Sequence, residues 1–133
     1  MTFKAELKFN DTKFVYNVIE CDYEITQEMD KSGKPSAFPK WGVINIVIES
    51  NHDPELAMWM IAPARVRSGT LTFFKDDSSV TKLKTVTFSK GICVRLQERF
   101  SNYGNSPMIT EFSFVAKEVT LDGEAWNANW SNF

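Results

Sequence analysis

The sequence predicts a mainly β protein: an antiparallel β-barrel with one short α-helix packed on it and a long extended loop. Three observations carry that expectation. Apolar and polar residues alternate over most of the chain, which is the period of a half-buried strand. Turn residues punctuate these stretches at short intervals. A single stretch near residues 56–61 has helical spacing, so the strand–helix alternation of a doubly wound sheet is missing. The 133 residues suit one domain, 1–133, large enough to bury a core of its own.

The first strand is expected over residues 3–9, where Phe3, Ala5, Leu7 and Phe9 alternate with Lys4, Glu6 and Lys8. Asn10-Asp11 turns the chain. A long strand, 15–30, should follow, with Val15, Ile19, Cys21, Tyr23 and Ile25 on one face. Glu20, Asp22, Glu24 and Thr26 take the other face. The next strand, 41–50, carries Ile44, Ile46 and Ile48 on one side and Val43, Asn45, Val47 and Glu49 on the other. Asp53 is placed to cap a helix, Pro54 to open it and Pro63 to end it. Leu56, Trp59 and Met60 form its apolar face. So short a helix needs packing to exist, most simply across an end or side of the barrel. Strands are expected again at 70–75, 84–88, 92–100 and 109–121, with Asp76-Asp77-Ser78-Ser79 as a turn and Gly91 as a bulge or bend. In the last strand Phe112, Phe114 and Ala116 mark one face, and Val115, Val119 and Leu121 the other. Apolar residues on both faces predict an outer wall covered by the helix and by a second subunit.

The segment between the two long strands, residues 31–40, is too long for a tight turn, and such loops are commonly functional. Lys31, Gly33, Lys34, Pro35, Ser36, Phe38, Pro39, Lys40 and Trp41 are its candidate contact residues. Prolines stiffen it and aromatics give it something to bury. It is expected to be an arm that docks on another copy of the chain.

A formal net charge of −2 argues against a nucleic-acid partner, which calls for a basic stripe. The longest apolar stretch, residues 56–64, is far short of the roughly 20 residues that span a bilayer, so membrane insertion is not expected. The N-terminus alternates like a strand and lacks a signal-peptide pattern, which predicts a cytoplasmic chain exported, if at all, by another route. Two cysteines, Cys21 and Cys93, can pair only if their strands are neighbours; buried reduced thiols are the simpler expectation.

No constellation for bond chemistry emerges. His52, the one histidine, stands in a turn without the partner that acid–base work or a metal would need. Asp76-Asp77-Ser78-Ser79 lacks the ordered ligands of a calcium loop. Ser32-Gly33-Lys34 lacks the upstream glycine of a phosphate loop, and Pro35 follows it where a helix should open. Trp126, Trp130 and Phe133 could form a sugar-binding set, but chain ends that pack aromatics on a barrel are commoner. The expectation is a non-enzyme without a cofactor. A small β-barrel binding module for an apolar ligand or glycan is the alternative, and it requires an internal cavity.

Several runs, in order, carry a family likeness: Cys21-Asp22-Tyr23, Asp30-Lys31-Ser32-Gly33-Lys34-Pro35-Ser36 and Ile48-Glu49-Ser50. Trp59-Met60, Ser68-Gly69-Thr70-Leu71-Thr72-Phe73, Gly91-Ile92-Cys93-Val94 with Glu98 and Phe100, Pro107-Met108 and Asn129-Trp130 continue it. Together they resemble the tube proteins of bacterial type VI secretion systems, the haemolysin-coregulated protein family. The resemblance implies a barrel with a side helix, hexameric rings stacked into a hollow tube, sheath and spike partners, effector proteins in the lumen, and export through the machine itself. It implies no catalytic residues. It maps the family's extended loop onto residues 31–40, as a ring or stacking contact, and makes Glu20, Asp22 and Glu24 candidates for a face on the wet lumen.

Overall fold

The computed structural model describes residues 4–27, 29–34, 40–50, 54–62, 65–75, 82–103, 108–122 and 124–127. In chain order they form β1 (Lys4–Phe9), β2 (Val15–Asp22), β3 (Ile25–Thr26), β4 (Lys40–Trp41), β5 (Ile44–Glu49), α1 (Glu55–Ile61), β6 (Arg67–Phe74), β7 (Lys82–Phe100), β8 (Met108–Leu121) and β9 (Glu124–Asn127). The sheet runs β5-β2-β1-β6-β7-β8-β9, and a further pairing of β5 with β8 closes six of these strands into an antiparallel barrel. β9 lies beyond the closure, on the far part of β8. The expected fold class is the one found.

The interior is packed. Leu7 and Phe9 of β1, Tyr16 of β2 and Ile44, Ile46 and Ile48 of β5 are at most 1% exposed, and Phe88, Phe112 and Phe114 meet them from β7 and β8. The ring of Phe9 stands edge-on to Tyr16 at 5.8 Å and to Phe88 at 6.1 Å. Each such side chain contributes roughly 1.5–3 kcal/mol on burial. Gly69 lets β6 approach β1 closely, since a Cβ there would stand 2.5 Å from the Lys8 carbonyl oxygen.

Helix α1 closes one end. Leu56 and Trp59 point inward, and the indole N–H of Trp59 donates to the Gly91 carbonyl at 3.0 Å. Met60, expected on the buried face, is 40% exposed. Pro54 stands at the N-cap with no side-chain cap bond, and the expected cap Asp53 lies outside the described residues, as does His52. The barrel's other end, where β2, β6 and β8 finish and β1, β5 and β7 begin, has no helix over it among the described residues.

The strand assignments differ from expectation in four places, each for a physical reason. A register shift between Val18 and Glu20 swaps the faces of β2. Tyr16 and Val18 point in before it and Cys21 and Tyr23 after it, leaving Val15 and Ile19 about half exposed. The long hairpin also breaks: β2 ends at Asp22, and pairing resumes as the separate ladder Ile25↔Trp41 and Thr26↔Lys40. The strands expected at 84–88 and 92–100 are one continuous β7, which bends beside Gly91, at Lys90 with φ 54°. Finally, β8 changes face after Ala116. Phe112, Phe114 and Ala116 are buried, yet so is Val119, and Leu121 packs on the same core. Much of the two-sided apolar pattern in β8 therefore serves one interior, and the half-buried Val115, with Ile109 at the strand's start, is left for the outer wall.

Both cysteines are free thiols on strands that are not neighbours. Burial, and then the nearby Asp22 charge, push the Cys21 thiol up to about 12. Burial also raises Cys93. Both shifts disfavour the thiolate, the nucleophilic form.

Candidate assembly surfaces

The arm begins where β3 and β4 continue the hairpin beyond the open end. Asp30 organises its described part. One carboxylate oxygen accepts from the Ser32 N–H at 2.9 Å, the Ser32 hydroxyl at 2.7 Å and the Lys34 N–H at 3.0 Å. The Asp30 N–H donates to the Lys34 carbonyl at 2.7 Å, and Gly33 supplies the φ of +87° that closes the turn. These bonds hold the Asp30 carboxyl below its usual range, the Ser32 hydroxyl first among them. The sequence marked this segment by length and prolines; the Asp-x-Ser signal of a self-closing turn was also there to be read. Lys31, Gly33 and Lys34 are exposed on it, with Met29 beside them 70% exposed. Pro35, Ser36, Phe38 and Pro39 lie outside the described residues, and only the backbone of Lys40 is described.

Trp41 is a correction. It is 2% exposed and packs against Tyr23 of its own subunit, with ring centroids 4.9 Å apart and ring planes tilted by 33°. The break after Asp22 brings Trp41 back over the barrel, so its ring is spent on the chain's own core rather than on a neighbour.

The lumen candidates lie partly together. Glu20 and Asp22 share a cleft of about 250 Å³ with Asn45, Arg95, Glu111 and Ser113, on the outer face of β2, β5, β8 and the far half of β7. The Asn45 amide donates to Asp22 at 2.8 Å and accepts from the Ser113 hydroxyl at 2.5 Å. Arg95 stands 3.7 Å from Glu111, and Arg99 also pairs with Glu111. This wall is a bonded polar surface. Glu24 is exposed past the end of β2, where its carbonyl accepts from the Gly42 N–H at 2.8 Å, and it does not line the cleft.

Two apolar surfaces escaped the sequence reading. A hollow of about 400 Å³ at the open end is lined by Cys21, Tyr23, Phe73, Leu83 and Lys84. At the helix end, Met58, Met60 and Ile61 form a second apolar face on α1. The signal was the unbroken run from Leu56 to Ile61, apolar all round rather than on one stripe. Among the described residues no group of His, Cys, Asp or Glu is placed to hold a metal ion, and no helix is long and apolar enough to cross a membrane. The interior where a binding module would keep its ligand is filled by Phe9, Tyr16, Phe88 and Phe114.

A family profile described as Hemolysin coregulated protein Hcp (TssD) matches residues 1–131. The chain belongs to that family. Its members are structural tube proteins of type VI secretion, which makes this chain a type VI secretion tube protein. Among solved structures, Hcp1 of Flavobacterium johnsoniae is similar at 28% identity, covering 93% of this chain and 98% of that one, with a TM-score of 0.80. Hcp1 of Salmonella typhimurium shares the Hcp fold at 11% identity, 90% and 86% coverage and a TM-score of 0.70. A chain of the sixfold-symmetrised baseplate of the anti-feeding prophage shares it at 12% identity, 90% and 91% coverage and a TM-score of 0.52. Among curated proteins no sequence matches.

Proposed function

We propose that this chain, as a single domain, is the ring-forming subunit of a type VI inner tube. Six copies close a ring, rings stack into a hollow tube, and the tube carries effector proteins outward under a sheath and behind a spike. The observation that carries this reading is the family match over nearly the whole chain. A fold neighbour that sits in a sixfold assembly supports the count. The bonded polar wall around Glu20, Asp22, Asn45 and Glu111 supports a face on a wet lumen. Residues 92–100 of β7 pair with β8 on one side and, among the described residues, with no strand on the other, a bare edge suited to lateral closure. The arm from Lys31 to Lys40 adds to the contacts between copies. Export through the apparatus is part of this reading.

Light scattering on the purified chain tests the proposal. The expected mass is six times the 15.2 kDa chain, with ring-sized particles under negative stain. A monomer at every accessible concentration overturns it.

A further inference from the structure

The barrel interior is filled by its own side chains, and the apolar hollow lies outside that core, at the open end. Its volume of about 400 Å³ falls within the roughly 300–1,000 Å³ of small-molecule sites. Phe73, Leu83, Tyr23 and the Cys21 thiol give it apolar walls, with Leu83 59% exposed. A smaller cleft of about 190 Å³ shares Cys21 and Phe73 with it and extends the apolar surface over Val18 and Ile19. The pair suits an elongated apolar chain better than a compact one. Strand register surrounds the hollow with lysines. Phe73 stands opposite Lys84 of β7, Phe74 opposite Lys82 of β7 and Lys4 of β1, and Lys75 follows directly. Lys4 is paired with Glu6 at 3.6 Å. Among the described residues Lys75, Lys82 and Lys84 have no carboxylate partner. Asp122, whose charge reaches Tyr23, accepts from the Thr85 N–H at 2.7 Å. Lys84 itself lines the hollow, so an ammonium stands beside an apolar surface.

We propose that this hollow binds a free single-chain amphiphile with an anionic head, of the medium-chain fatty-acid class. The tail lies on Leu83, Phe73 and Tyr23, and the carboxylate meets the Lys84 ammonium. Each part of the ligand answers a feature of the site. Burial of Leu83 and of the tail drives binding. The lysine selects the head, because a carboxylate gains a charge-assisted hydrogen bond that an alcohol does not. A cationic head would face like charge on Lys75, Lys82 and Lys84. The site is built from one copy alone, so the proposal goes beyond the tube reading and does not depend on it.

Calorimetric titration of the full chain with decanoate and with decanol, each below its aggregation limit, tests this. Lys84→Met is expected to weaken decanoate about two- to fivefold, as for an exposed ion pair, and to leave decanol unchanged. Leu83→Asp is expected to weaken both at least about tenfold. Ile61→Asp, at the helix end, should bind both as the parent does and controls for non-specific apolar sticking. Cys21 gives a second readout, one that binding elsewhere on the chain would not move. With decanoate at about ten times its dissociation constant, alkylation of Cys21 by N-ethylmaleimide should slow about tenfold. Cys93, 6% exposed, should be spared with or without the ligand. A parent that binds no decanoate overturns the proposal, as does binding that leaves Cys21 unprotected, survives Leu83→Asp or falls in Ile61→Asp. A decanoate affinity that Lys84→Met leaves unchanged, or a decanol affinity that it lowers equally, overturns the anionic head. Binding to anionic vesicles with none to free decanoate overturns the free ligand. None of these results bears on ring formation, which light scattering reads separately.

Discussion

Arg67 is the residue with the most at stake in this barrel. Its side chain is fully buried at the start of β6, with the guanidinium 3.7 Å from the Phe9 ring centroid and 5.8 Å from that of Trp59. Asp11 answers the charge through Nε at 3.1 Å and Nη2 at 2.8 Å, while Nη1 has no partner. A buried cation left without its carboxylate is costly, so the pair acts as a lock between the β1–β2 turn and β6. Asp11 is itself about half exposed, and water screens part of that cost. Asp11→Asn should therefore lower stability by about 1–3 kcal/mol in urea unfolding at neutral pH. The hydrogen bonds from Arg67 hold the Asp11 carboxyl below its ordinary 3.8. A depressed folded-state value means that the contribution is fully present above 3.8 and fades as pH falls from there through the lowered value. The gap between parent and Asp11→Asn should accordingly narrow below that pH, and a gap independent of pH would show that the charge is not what Arg67 needs.

At the scale of the element, α1 shows how little of a short helix is its own doing. Its seven residues are too few to be helical alone, and no side chain caps its start. Trp59 holds it, 1% exposed, with ring contacts to Phe9 and Phe114 at 5.4 Å and its N–H on the Gly91 carbonyl. Trp59→Ala should cost about 3–5 kcal/mol, read as a fall in the urea midpoint. Trp59→Phe keeps much of the area but strands the carbonyl, for about 1–2 kcal/mol. The sequence made this helix legible through its spacing and prolines, and β5 through Ile44, Ile46 and Ile48. It did not make β2 legible, because Val15, Tyr16, Val18, Ile19 and Cys21 are apolar at both parities, and only a register shift decides which of them point in. The face change in β8 was hidden for the same reason. At the candidate site, Glu20 and Asp22 were readable as a polar face because alternation placed them there. The burial of Trp41 was not, since it depends on where the hairpin breaks, and that is a tertiary event.

At the scale of the whole molecule, the packed interior and the bare exterior pull in different directions. The core is complete, yet Val15, Ile19, Leu83 and Val94 on the walls and rim, with Ile61, Phe100 and Tyr103 at the helix end, stand 47% or more exposed. A chain so built folds without a partner but gains from having one. Its stability should then depend on its own concentration, because whatever binds only the folded state stabilises it by mass action. For a ring of six, a hundredfold rise in protein adds about 2 kcal/mol per chain. At this size that raises the melting midpoint by roughly 5–10 °C. Calorimetry from low to high micromolar protein measures the shift. A monomeric barrel that binds a small apolar ligand or glycan predicts a midpoint indifferent to concentration and responsive to ligand instead.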